Sequence, residues 1–148
     1  RFNMFDVISL AKETILLKYC KEISIEIQSD RTEYQIVADE FHFSNVVYNI
    51  LDNAIKYNDS TPKILIVITE NQKEVKLEFI DNGIGIETPE LNAIFDKFYR
   101  ISSAKRNEVG GFGLGLFYVK KICTLHRWKI NVKNNPDNGI TVTISIPK

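Results

Sequence analysis

Apolar residues recur along the chain in two alternating periods, and each change of period marks an element boundary. Residues 7–21 have helical spacing, with Leu10, Ile15, Leu16 and Tyr19 among the apolar positions, behind a short strand or lead-in over 1–6. Residues 24–28 form part of an alternation through Ile23, Ile25 and Ile27, the period of a strand, and 35–38 predict a second short strand. From about Glu40 a long helix is expected, with Val46, Val47, Ile50, Leu51, Ala54 and Ile55 on its apolar face. After the turn cluster at 58–62, two β-branched runs (63–70 and 75–81) flank Asn71-Gln72-Lys73 and read as a hairpin. Thr88-Pro89 reads as an N-cap with proline at the first helical position, opening a short helix to about Phe95. Residues 99–109 are polar and without period, 114–125 are helical, and 129–133 and 140–146 are strands around a turn at 134–139. Helices mixed with hairpins predict an α/β (α+β) two-layer sandwich, one mixed sheet with helices on one face.

Composition narrows the function classes. With 148 residues the chain makes one domain, and its 44 % hydrophobic content suits a soluble core. Lys plus Arg and Asp plus Glu number 19 each, so no net charge favours nucleic acid or an anionic membrane. No apolar run reaches the ~20 residues of a membrane span. No signal peptide is visible, and a start at Arg1 suggests a piece of a longer protein. Cys20 and Cys123, within predicted helices, read as buried free thiols of a reducing compartment.

The polar face of the long helix is unusual. Asn45, Asn49, Asn53 and Tyr57 stand four apart and share one side of the helix. Asparagine is a poor helix former, and a solvated face would normally carry Glu, Lys or Gln. A row of neutral amides suits hard cations and phosphates. Residues 81–86 (DNGIGI) close an apolar strand. They form either a turn in which Gly83 and Gly85 take positive φ, or a site in which Asp81 accepts from the exocyclic amine of adenine. Residues 110–116 (GGFGLGL) run directly into a helix, as either a flexible linker or a loop whose N–H groups approach phosphates. This is neither a P-loop nor a dinucleotide fingerprint, because the Lys-Ser/Thr pair and the glycine spacing are both missing. In residues 94–100 (IFDKFYR), Phe95 and Phe98 read as anchors, and Lys97 and Arg100 as surface charges or phosphate contacts.

Together and in this order, these segments resemble the catalytic and ATP-binding domain of bacterial two-component sensor histidine kinases. Residues 49–57 (NILDNAIKY) look like the N box, 81–86 and 111–116 like the two glycine boxes, and 95–100 like the F box. The resemblance covers nearly the whole chain. It implies a Bergerat-type ATP-binding fold, a mixed five-stranded sheet layered against three main helices, with a mobile ATP lid. It implies Asn53 as the Mg²⁺ ligand with Asn49 beside the metal or phosphates, Lys56 and Arg100 on phosphates, Tyr57 against adenine and Asp81 on its amine. Gly83 and Gly85 would let the backbone pass the base, and Gly111, Gly113 and Gly115 would form the hinge and phosphate rim of the lid. Ile84, Lys97, Tyr99, Leu114 and Leu116 complete the implied nucleotide set. Phe112 stands where the family has a small or hydroxyl residue, His126-Arg127-Trp128 replaces His-Gly-Gly, and Ile140 replaces a frequent threonine.

The resemblance further implies transfer rather than hydrolysis. ATP hydrolases of the superfamily place a glutamate base four residues before the metal-binding asparagine. Asn49 occupies that position, and an amide cannot take a proton. A neutral histidine acceptor needs no base, so the task reduces to positioning and charge neutralisation. Neither His42 nor His126 sits in the His-Glu or His-Asp context of the family's acceptor, so both read as structural or surface residues. The expectation is a monomeric catalytic fragment that uses ATP and Mg²⁺. Its partners would be a separate dimerisation domain bearing the acceptor and, downstream, a response regulator. It would be cytoplasmic, within a parent anchored in the inner membrane. The competing readings are a nucleotide-binding regulatory module without catalysis, motivated by Phe112, and an ATP hydrolase.

Overall fold

The period-two segments pair into one mixed sheet, and the helical segments cover its apolar side. The computed structural model describes residues 1–96 and 115–148. In chain order these are β1 (Phe2–Asn3), α1 (Met4–Lys18), β2 (Ser24–Ser29), β3 (Gln35–Ile36), α2 (Glu40–Lys56), β4 (Lys63–Glu70), β5 (Glu74–Asp81), α3 (Gly115–Leu125), β6 (Lys129–Asn134) and β7 (Ile140–Pro147). The main sheet has the order β2-β4-β5-β7-β6, with β2 parallel to β4 and the other pairs antiparallel. A parallel neighbour needs a crossover connection, which the segment through α2 supplies. β1 and β3 form a separate two-stranded ribbon.

Alternation along the strands decides which face is buried. Ile64, Ile66 and Ile68 of β4, Val75, Leu77 and Phe79 of β5, and Val142, Ile144 and Ile146 of β7 enter one core with the apolar faces of the helices. The intervening residues include Lys76 and Glu78, which pair at 3.3 Å. α2 packs between α1 and α3 and carries eight buried residues. Burial of several large aliphatic side chains, at about 1.5–3 kcal/mol each, outweighs the poor helix propensity of its asparagines. Asp39 caps α2 by accepting from His42 N at 2.9 Å.

Three expectations change. α1 begins at Met4 and ends at Lys18, three residues early at each end. Asn3 caps it by accepting from Phe5 N, and Tyr19 leaves it in extended backbone. Cys20 lies just beyond the helix and is exposed, whereas Cys123 is buried as expected. Thr88-Pro89 does not open an α-helix. Glu87 holds the cap position without a side-chain bond, Thr88–Glu90 is a single 3-10 turn, and further i→i+3 bonds follow to Asp96. The segment at 126–128 is a turn as expected, with Arg127 at φ 60°. Trp128 N donates to Cys123 O and Arg127 N to Thr124 O, a Schellman closure of α3 with a non-glycine at its left-handed position.

Candidate nucleotide site

The amide row lies where α2 meets the start of α3. Asn49 donates through Nδ2 to Asn45 O at 2.7 Å, which turns Oδ1 outward. That oxygen stands 3.0 Å from where a Cβ would project from Gly115, and Asn53 Nδ2 stands 3.6 Å from the same point. Glycine at the first residue of α3 therefore lets the two carboxamides and the helix N-terminus converge. Both asparagines are half-buried. Carboxamide oxygens are hard donors of the kind Mg²⁺ accepts beside phosphate and water, so the pair fits that ion. Asn45 is turned to other work, donating to Phe41 O at 3.1 Å.

Asp81 stands at the end of β5, and its carboxylate is fixed by the backbone around it. Oδ1 accepts from Gly83 N at 2.9 Å and from Ile140 N at 3.1 Å. Both donors engage the same oxygen, which leaves the second for a ligand. Burial pushes the Asp81 carboxyl above its ordinary value, and the two N–H donors offset only part of that rise. Of the two glycines expected to need positive φ, only Gly85 has it, at 74°. Gly83 is required for a different reason: a Cβ there would lie 2.5 Å from Tyr57 O. Tyr57 caps the C-terminus of α2, and its carbonyl accepts from Ile84 N at 3.0 Å. The end of the amide row and the Asp81 loop are thus bonded to each other.

A set of residues without assigned chemistry holds this loop. Asn134 clips the backbone of Ile86, accepting from its N at 2.9 Å and donating to its O at 2.5 Å. Asn135 donates to Asp81 O at 2.9 Å. Asn82 accepts from Asn58 Nδ2 and from Lys63 N, and donates to Thr61 O. Gly139, at φ 80°, lies so close to Asp81 that a Cβ would overlap its backbone carbonyl. The only sequence signal for this support was the density of asparagine in 134–138, which read as a turn.

Lys56, half-buried, is held at 2.9 Å by Asp52, one turn earlier on α2. Leu116 lies half-buried near the start of α3. Lys97, Tyr99, Arg100, Gly111, Gly113 and Leu114 lie outside the described residues, as do Phe112 and the expected lid. His42 bonds to the Tyr118 hydroxyl at 2.7 Å. His126 bonds to Ile122 O and stacks on Trp128. Both rings have structural partners.

This arrangement is that of a known class of ATP-binding domain. The profile of the histidine kinase-, DNA gyrase B- and HSP90-like ATPase family matches residues 38–148, and the chain belongs to that family. Within it, the chain falls among the catalytic domains of sensor histidine kinases. It is 39 % identical over 120 residues to the sensor protein RprX of Bacteroides fragilis, covering 80 % of this chain and 23 % of RprX. It is 34 % identical over 117 residues to the sensor protein CiaH of Streptococcus pneumoniae, covering 79 % of this chain and 26 % of CiaH. The chain thus spans about a quarter of the length of the curated relatives it matches. The solved structure of the mycobacterial sensor histidine kinase MprB superposes with a TM-score of 0.88 at 26 % identity, over 99 % of this chain and 96 % of that one. These likenesses establish the mixed five-stranded sheet with three helices as a histidine kinase ATP-binding fold.

Proposed function

We propose that this domain binds Mg-ATP and donates the γ-phosphoryl group to a histidine on a separate dimerisation domain, for relay to a response regulator. The observation that carries the reading is the joining of two half-sites. Asn49 and Asn53 converge on the start of α3. The C-terminal cap of α2, Tyr57, is bonded to the loop that presents Asp81. One end offers amides for a metal and phosphates, the other a carboxylate for an exocyclic amine.

In this reading Asp81 selects adenine through its second carboxylate oxygen, and Tyr57 packs on the base. Asn53, with Asn49 beside it, would hold Mg²⁺, which when bound would supply positive charge to offset that of the phosphates. Lys56 adds a further cation, and the N-terminus of α3 offers N–H groups to the phosphates. Arg100, Lys97, Tyr99, Gly111, Gly113 and Leu114 complete the set by their resemblance to family positions. Asn49 supplies no general base toward water, which favours a nucleophile that needs none. ThkA, a histidine kinase of the same fold, has been solved with a response regulator, TrrA, and supports the same downstream partner here. Among the described residues no helix is long and apolar enough to cross a membrane. A cytoplasmic site within a membrane-anchored parent is part of the proposal.

Calorimetric titration of ATP in magnesium tests the site. Asn53→Ala is expected to weaken binding roughly tenfold or more, the loss of about one metal or charged contact. Equal affinity in the variant would remove Asn53 from the metal site.

A further inference from the structure

Among the described residues Asp52 and Thr141 are the only buried polar ones. Asp52 sits on α2 beside the amide row, with its carboxylate shared between two elements. One oxygen accepts from the Tyr19 hydroxyl at 2.5 Å and from Lys18 Nζ at 3.0 Å, both at the C-terminal end of α1. The other accepts from Lys56 Nζ at 2.9 Å. Lys18 also lies over the rings of Tyr19 and Tyr48, at 5.3 and 5.4 Å from their centroids. One carboxylate against two ammonium groups leaves one positive charge in the cluster. Lys56 is three residues from Asn53 and four from Asp52, so it stands between the amide row and the acid.

We propose that Asp52 sets how strongly Lys56 attracts the nucleotide's phosphates, and that Lys18 and Tyr19 of α1 set how strongly Asp52 holds Lys56. This rests on the reading of Lys56 as a phosphate contact. An ammonium bonded to a carboxylate has part of its charge neutralised, and a phosphate must compete for it. Lys18 and Tyr19 draw on the same carboxylate and weaken its hold on Lys56. The end of α1 is thereby coupled to phosphate affinity through one buried acid. A purely structural Asp52 makes a different prediction: loss of any member loosens the α1–α2 contact and weakens binding in the same direction.

Affinities for ATP, ADP and adenosine, with a thermal melt of each variant, separate the two. Asp52→Asn, which keeps the shape, is expected to tighten ATP and ADP roughly two- to fivefold and leave adenosine unchanged, the range of a partly exposed charge pair. Lys18→Met is expected to weaken ATP and ADP by a similar factor. That effect should vanish in Asp52→Asn and in Lys56→Met backgrounds, which also excludes a long-range effect of the lost charge. The Lys18→Met/Lys56→Met comparison decides the matter even where Asp52→Asn fails to fold. Weaker binding in both single variants, or a Lys18→Met effect that persists without Lys56, would overturn the coupling. Wild-type protein that binds ATP no better than adenosine would overturn the phosphate-site reading itself.

Discussion

Asn49 Oδ1 and Gly115 meet so closely that a Cβ on the glycine would stand 3.0 Å from the oxygen. The contact joins the amide row of α2 to the N-terminus of α3, the two elements that frame the proposed phosphate end of the site. In Gly115→Ala the methyl must displace the carboxamide by a few tenths of an ångström. Alanine is the better helix residue, so folding stability should change by less than about 1 kcal/mol. Affinity for Mg-ATP should fall by roughly tenfold, because a site displaced by a fraction of an ångström loses its pre-organised geometry. Denaturant unfolding and nucleotide titration on the same sample check both halves.

Gly139→Ala should behave in the opposite way, failing in the fold first. Its φ of 80° disfavours a side chain, and a Cβ would overlap the Asp81 carbonyl. A loss of about 2–4 kcal/mol is expected from backbone strain plus steric displacement. The drop in denaturation midpoint should appear without nucleotide present.

Arg127 closes α3 in the left-handed region, at φ 60°. Replacement by glycine removes that strain and should stabilise the domain by about 1 kcal/mol. Thermal unfolding of Arg127→Gly reads the gain, and nucleotide affinity should be unchanged.

Asp81 gives the site an opposed dependence on pH. Burial holds its carboxyl above the ordinary value in the folded state. Its contribution to stability is therefore present at low pH and lost as pH rises through the folded value. In the proposed site the ionised form accepts the adenine amine, so binding is expected to run the other way and weaken as pH falls into that raised range. Titration of ATP affinity from neutral pH downward should show a loss that begins above the ordinary carboxylate range. Asp81→Asn should be at least as stable as wild type at neutral pH. It should also lose more than roughly tenfold in affinity, since the amide nitrogen meets the adenine amine donor to donor.

Particular residues show how far the sequence could be read. Ile64, Ile66 and Ile68 alternate against Val75, Leu77 and Phe79, and that period alone fixes a hairpin with one buried face. The apolar stripe of α2 survives its asparagines because burial outweighs propensity. The start of α1 was misplaced because its signal was an asparagine, Asn3, whose capping role depends on the fold. Oδ1 of Asn3 also accepts from Tyr34 N, a residue thirty-one positions away. Thr88-Pro89 carried a local helix-start signal that tertiary context did not extend. The placement of Asn49, Asn53 and Tyr57 along one helix and of Asp81 at the end of a strand was legible because it rests on spacings within single elements. Asn134, Asn135 and Gly139 were not, because their partners Ile86 and Asp81 lie about fifty positions earlier. Asp52 was hidden for the same reason: its meaning comes from Lys18 and Tyr19 at the end of another helix.

The most direct test of the whole account is phosphoryl transfer to a partner. The domain is mixed with a histidine-kinase dimerisation domain that carries the acceptor histidine, Mg²⁺ and γ-labelled ATP. Label is expected on that histidine, lost in acid and stable in base, with little free phosphate from this domain alone and no label in Asn53→Ala. Steady phosphate release without label on the partner would contradict it in favour of a hydrolase. Tight ATP binding with neither transfer nor release, against acceptor domains including that of its own parent chain, would contradict it in favour of a regulatory nucleotide-binding module.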